Sequence, residues 1–174
     1  MSVGYNQILR KIPNKITRKK EFREALSVLV LIGLVYFGFR GSMILAMGTT
    51  SPMTGVTGDS MTHPDDSWKN FYTEKGYEIS DFPLKGGLQQ GDLVVVKGLN
   101  SVKDTEIGDV VIWRDEGKRI IHRVAVIKSD SKGPYLKTRS DKYQVLDYNK
   151  IRSDDLVGKA VFSIPYLGYP ATWF

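Results

Sequence analysis

Cysteine is missing from the 174-residue chain, and histidine occurs only at His63 and His122. The first absence excludes disulfides, thiolate nucleophiles and Cys-based zinc sites, and the second argues against a His-rich metal centre. No motif calls for a metal or any other cofactor. Charge is also scarce where a nucleic-acid-binding domain would need it. Residues 1–24 carry seven basic and two acidic side chains, a net +5 of the total +6, so residues 25–174 contribute only +1. A nucleic-acid-binding domain carries its basic footprint on its own surface, so nucleic acid is not an expected partner. Long apolar runs are limited to one, and the length suits one domain plus an attachment.

That run is Ala25 to Phe39, without a charge, followed by Arg40 and then Met43-Ile44-Leu45-Ala46-Met47. Fifteen helical residues rise about 22 Å, short of a hydrocarbon core of roughly 30 Å. Extension to Met47 supplies the length if Arg40 snorkels or faces protein. Tyr36, Phe37 and Phe39 suit an interface, and the basic cluster before the run puts the N-terminus on the cytoplasmic side. The organisation expected is a basic tail over 1–24, a transmembrane anchor over 25–47 and an extracytoplasmic domain over 48–174. Two other readings compete, a cleaved leader with Ala46-Met47-Gly48 as its processing site and a buried core helix. Leu9, Ile12 and Ile16 could form a short amphipathic turn, and the aromatic end 164–174 could rest at a membrane interface or precede a second span.

Beyond the run the pattern is β. Residues 48–59 read as an extended linker, and 65–90 as a polar insertion or cap with scattered Trp68, Phe71, Tyr72, Tyr77 and Phe82, which could pack on the domain or touch the bilayer interface. Gly91-Asp92 precedes Leu93–Lys97, and Gly108-Asp109 precedes Val110–Trp113, each a turn pair before a β-branched run. Residues 119–128, 135–138 and 156–162 complete the set. Short strands at this spacing predict a mainly β fold, an antiparallel sheet or partly open barrel, preceded by one N-terminal transmembrane helix.

Ser60, in Thr57-Gly58-Asp59-Ser60-Met61, is a candidate nucleophile, although a serine in such company is ordinarily a turn residue. A serine hydroxyl needs a positioned base. His122 alternates with Ile120 and Val124 on one face of its strand, where burial favours the neutral form that a base requires; a core histidine bonded to backbone fits the same pattern. A base needs an orienting carboxylate, and Asp141 and Asp147 follow in the next turn, where a cap and a surface ion pair are the plainer roles. His63 lies three residues from Ser60 and is a weaker candidate for the base.

Gly58-Asp59-Ser60-Met61 resembles the Ser-Gly-x-Ser-Met box of type I signal peptidases. Gly108-Asp109-Val110-Val111 resembles that family's Gly-Asp-Val-Val strand. Ile121-His122-Arg123-Val124 resembles the His-Arg-Val segment of its archaeal and endoplasmic-reticulum branch, and Thr138 to Asp141 resembles Thr-Lys-Gly-Asp-Asn-Asn. The resemblance covers about residues 25–168. It implies a membrane-anchored serine endopeptidase that removes signal peptides, at an archaeal cell membrane or, as the alternative, in the endoplasmic reticulum. Ser60 matches the nucleophile, His122 the base, and Asp141 and Asp147 the two acidic positions, without saying which orients His122. Preproteins bearing signal peptides, a lipid bilayer and the protein translocation channel are the implied partners. Three departures stand out. One extra residue precedes the proline in Ser60-Met61-Thr62-His63-Pro64, Ser140 replaces the glycine before Asp141, and the insertion 65–90 is longer than a minimal family core needs. Other classes share parts of the pattern: a catalytically idle, tethered β domain serving as an accessory subunit, and a soluble self-cleaving serine-lysine protease. The apolar span and His122 argue against the latter.

Overall fold

The computed structural model describes residues 15–169. Leu9, Ile12 and the last five residues of the aromatic end, 170–174, lie outside the described residues, as do the expectations placed on them. The chain divides into two compact units, Met1–Ser42 and Met43–Phe174.

One helix, α1, runs Lys15–Met47, 33 residues or about 50 Å of rise. No proline interrupts it, and it ends where Gly48 takes φ +62° and its N–H donates to the Ile44 carbonyl at 3.0 Å, a left-handed C-terminal cap. Large apolar side chains from Leu26 to Phe39 are exposed. Ser27 and Ser42 return their hydroxyls to the carbonyls of Arg23 and Gly38, each at 2.8 Å, so neither presents an unpaired polar group. The Arg18–Met47 portion is long and apolar enough to cross a membrane.

The second unit is built on one antiparallel sheet. Its strands are β1 (Met53–Gly55), β2 (Leu93–Lys97), β3 (Val110–Asp115), β4 (Lys118–Asp130), β5 (Gly133–Arg139) and β6 (Leu156–Ile164), in the spatial order β1-β2-β6-β3-β4-β5. The five strands expected from Gly/Asp turns and β-branched runs are present. The linker reading of 48–59 is corrected at Met53–Gly55, which pairs with Leu93–Val95 as an edge strand. Three residues carry too little periodic signal to show this; the pairing exists because β2 supplies a partner.

Strand β3 shows why its sequence is a continuous apolar run. Val110 and Ile112 join one cluster with Val56, Met61, Leu88, Val94 and Val96. Val111 and Trp113 join another with Val124, Leu136 and Ile151. Both faces of the sheet are covered at β3, so the alternation of a half-exposed strand is lost there. Gly158 is required where β6 passes β2, since a Cβ there would lie 2.3 Å from the Lys97 carbonyl oxygen. Gly158→Ala must push backbone aside and is expected to destabilise the second unit by about 2 kcal/mol. Denaturant unfolding checks this; unchanged stability would show that the sheet relaxes freely at that point.

The insertion 65–90 is ordered around its own aromatic core. Trp68, Tyr72 and Phe82 are buried together, Trp68 on a single turn of 3-10 helix, Ser67–Lys69, Tyr72 on a four-residue helix α2, Asn70–Thr73, and Phe82 beyond them. Tyr72 meets Phe71 and Phe82 edge-on at 5.0 Å, and its hydroxyl donates to the Val124 carbonyl at 3.3 Å. The insertion therefore packs on β4, and Tyr77 alone of its five aromatics stands exposed.

Candidate active site

Ser60 and His122 line the same cleft, about 630 Å³ in volume, together with Met61 and residues 54–58 and 118–122. One wall is β1 and the turn that follows it; the other is the start of β4. No hydrogen bond joins the two side chains, and among the described residues the Ser60 Oγ and N–H have no protein partner. The Ser60 carbonyl, by contrast, is gripped twice. Ser140 Oγ donates to it at 2.7 Å and the Lys142 N–H at 3.0 Å. The serine that replaces glycine before Asp141 thus anchors the Ser60 turn, and the positive φ in this loop is at Gln144, φ +55°.

His122 sits on β4 opposite Val111, one residue short of the Arg123–Arg139 pair where β5 ends. There the chain leaves the sheet, loops, and returns as Leu146 bridges to Arg139. The Asp147 N–H donates to the Thr138 carbonyl at 2.9 Å, which directs the Asp147 carboxylate at the imidazole. Asp147 Oδ2 lies 2.7 Å from His122 Nδ1, with 13% of the His122 side chain exposed. The Thr138 hydroxyl donates to the same carboxylate oxygen. With Nδ1–H given to Asp147, the remaining ring nitrogen, Nε2, is the one left to accept a proton.

Asp141 is engaged elsewhere. It is 3% exposed and binds the buried Arg123 guanidinium, from Nε at 3.0 and 3.2 Å and from Nη2 at 2.8 Å. Arg123 Nη1 donates to the carbonyls of Pro83 and Gly108 at 2.8 and 2.9 Å, and Nη2 to Leu84 at 3.3 Å. Leu84 adopts φ +51°, a costly conformation for a side-chain-bearing residue. The second partner of Asp141 is His63, whose Nε2 lies 2.8 Å from Oδ2. Thus the two acidic candidates, six residues apart, meet different histidines.

Sequence reasoning assigned no role to Thr138, Arg123, Ser140 or Tyr143. Lys142 Nζ and the Tyr143 hydroxyl both bind the Asp59 carboxylate next to Ser60; these bonds hold its pKa below the ordinary carboxylate value. The available signal was Ser140-Asp141-Lys142-Tyr143 itself, where polar residues replace a glycine turn. Among the described residues no cluster of His, Cys, Asp or Glu could hold a metal ion.

No protein-family profile matches the chain. Curated proteins do. Over 95 residues, 49% of this chain, it is 30% identical to the signal peptidase complex catalytic subunit SEC11 of Colletotrichum graminicola, covering 55% of that protein. Over 97 residues it is 28% identical to the SEC11 subunits of Pyricularia oryzae and Neurospora crassa, with the same coverage. The chain spans about half the length of the curated relatives it matches.

Proposed function

We propose that this chain, a homologue of the type I signal peptidases of the archaeal and endoplasmic-reticulum branch, is a membrane-anchored serine endopeptidase that cleaves signal peptides from exported preproteins. The observation that carries the reading is the shared cleft of Ser60 and His122, with Asp147 on the far nitrogen of the imidazole. Ser60 Oγ attacks the scissile carbonyl while His122 Nε2 takes its proton. The imidazolium then protonates the leaving amine, and the acyl-enzyme is released by a water that His122 deprotonates in turn. Asp147 accepts from Nδ1–H throughout and stabilises the imidazolium; Thr138 holds Asp147. Catalytic hydrogen bonds commonly tighten only when substrate binds, which accommodates the open Ser60–His122 geometry. The free Ser60 N–H, with the Thr57 hydroxyl, serves the oxyanion; one such donor contributes roughly 3–4 kcal/mol.

The substrate lies extended along the cleft, where β1 is an edge strand able to accept another. Small residues at −1 and −3 follow from the family resemblance. The apolar part of α1 is the anchor, with the N-terminus cytoplasmic and the second unit on the opposite side. Enzyme and signal peptide then share one membrane, and the raised effective concentration makes a modest affinity sufficient.

The test is cleavage of a preprotein with alanine at −1 and −3 by the purified full-length chain in lipid vesicles. A single cut after the −1 alanine is expected, lost when that alanine becomes tryptophan. A chain that never cuts would be an accessory β domain.

A further inference from the structure

The extra residue after the Ser-Met pair creates a second histidine site. His63, three residues beyond Ser60, is almost closed off from solvent, its side chain 8% exposed and that of its partner Asp141 1%. Trp68 stacks on its ring at 4.4 Å and 21°. On the insertion's other arm, Gly87, φ +76°, packs so closely that a Cβ would lie 3.0 Å from His63 Cγ and 2.7 Å from the Met61 carbonyl oxygen. Both ring nitrogens face acceptors, Nε2 the Asp141 carboxylate at 2.8 Å and Nδ1 the Lys85 carbonyl at 2.9 Å. Neither acceptor can donate in return, because a backbone carbonyl has no proton and the carboxylate is paired with Arg123. Only an imidazole protonated on both nitrogens satisfies both contacts.

The consequence reaches Ser60 through Asp141. The two residues flanking Asp141 are those that grip the Ser60 carbonyl, Ser140 by its hydroxyl and Lys142 by its N–H. We propose that His63 is a positioning residue for the Ser60 turn, clamped between Asp141 and the Lys85 carbonyl, so that turnover requires two protons on His63 while His122 carries one. This rests on Ser60 being the nucleophile. Loss of a proton from His63 leaves one acceptor facing a bare nitrogen and loosens the tie between insertion, nucleophile turn and Asp141.

Charged groups on the elements packed around this ring complete its setting. Besides Asp141 they are Arg123 of β4, 4.6 Å over the Trp68 ring, and Arg139 of β5, Nη1 3.5 Å from the Trp68 carbonyl. From the insertion come Lys69, paired with Asp66 at 2.6 Å, and Lys85, whose Nζ is turned to the Ser80 carbonyl. Tyr72 stays neutral, since burial and then the Asp141 charge raise its pKa.

The experiment is the pH dependence of kcat for the untagged full-length chain in lipid vesicles, wild type against His63→Gln. Wild type is expected to give a bell whose rising limb is loss of the His122 proton and whose falling limb is loss of the second His63 proton. His63→Gln should lose the falling limb and drop kcat by about tenfold to a hundredfold at the wild-type optimum, with KM within about twofold. The chain has two histidines, so a Ser60→Ala, His122→Gln protein leaves His63 as the sole imidazole signal in a carbon–proton NMR titration. Its deprotonation should coincide with the wild-type falling limb. A falling limb that survives in His63→Gln, or a His63 ring already neutral where wild type is fully active, overturns the proposal. The NMR arm needs no cleavage, so its result stands apart from failure of the nucleophile assignment, which would appear as cleavage by the Ser60→Ala chain.

Discussion

Ser60→Ala and His122→Ala are each expected to reduce cleavage of a membrane-inserted preprotein by on the order of 10⁵-fold, and the double variant by no more than either alone. In the mechanism proposed above, nucleophile and base act as one unit, so removal of one leaves nothing for the other to do. What remains is binding and the oxyanion donors. The folded state should be little disturbed, because among the described residues Ser60 Oγ has no protein partner and His122 is anchored by a single side-chain bond, to Asp147. Single-turnover cleavage with unchanged thermal unfolding checks both halves. Near-normal cleavage by either variant would remove the serine-histidine mechanism, and additive losses would show that the two residues act separately.

Asp147→Asn and Asp141→Asn should fail in opposite ways. Asp147→Asn keeps the shape but can present a donor to Nδ1, favouring the tautomer with its proton on Nε2, where the base must be bare. A fall in kcat of about 10³–10⁴-fold is expected, with KM and stability nearly unchanged. Asp141→Asn leaves the Arg123 guanidinium, fully buried, without its counter-charge. Removing one partner of such a pair costs about 3–5 kcal/mol, so this variant should lose stability first and activity as a consequence. Denaturant midpoints and kcat measured on the same preparations separate the two. A stable, inactive Asp141→Asn beside an active Asp147→Asn would exchange their roles.

The difference between these carboxylates was not legible in the chain. Asp141 and Asp147 lie six residues apart in one loop, and either could have been aimed at His122. The return of that loop decides between them, through the Arg139–Leu146 bridge and the Asp147 N–H on Thr138. The contacts of His63 were out of reach for a similar reason: its partners are 22 and 78 residues away. The insertion's aromatics have no helical or strand period, so the chain left packing on the domain and contact with the bilayer interface both open, and burial against β4 decides for packing.

Other features needed only near neighbours along the chain. The apolar run without proline makes α1, because hydropathy and backbone freedom act over a few turns. Gly-Asp pairs before β-branched residues set β2 and β3, and the His-Arg-Val segment puts His122 and Arg123 on alternate sides of β4. Periodicity and turn chemistry are local and can be read residue by residue. Which acid meets which base, and what packs over the Ser60 turn, depend on contacts formed only when distant segments pack, and those arise with pairing of the strands and docking of residues 65–90 on the sheet.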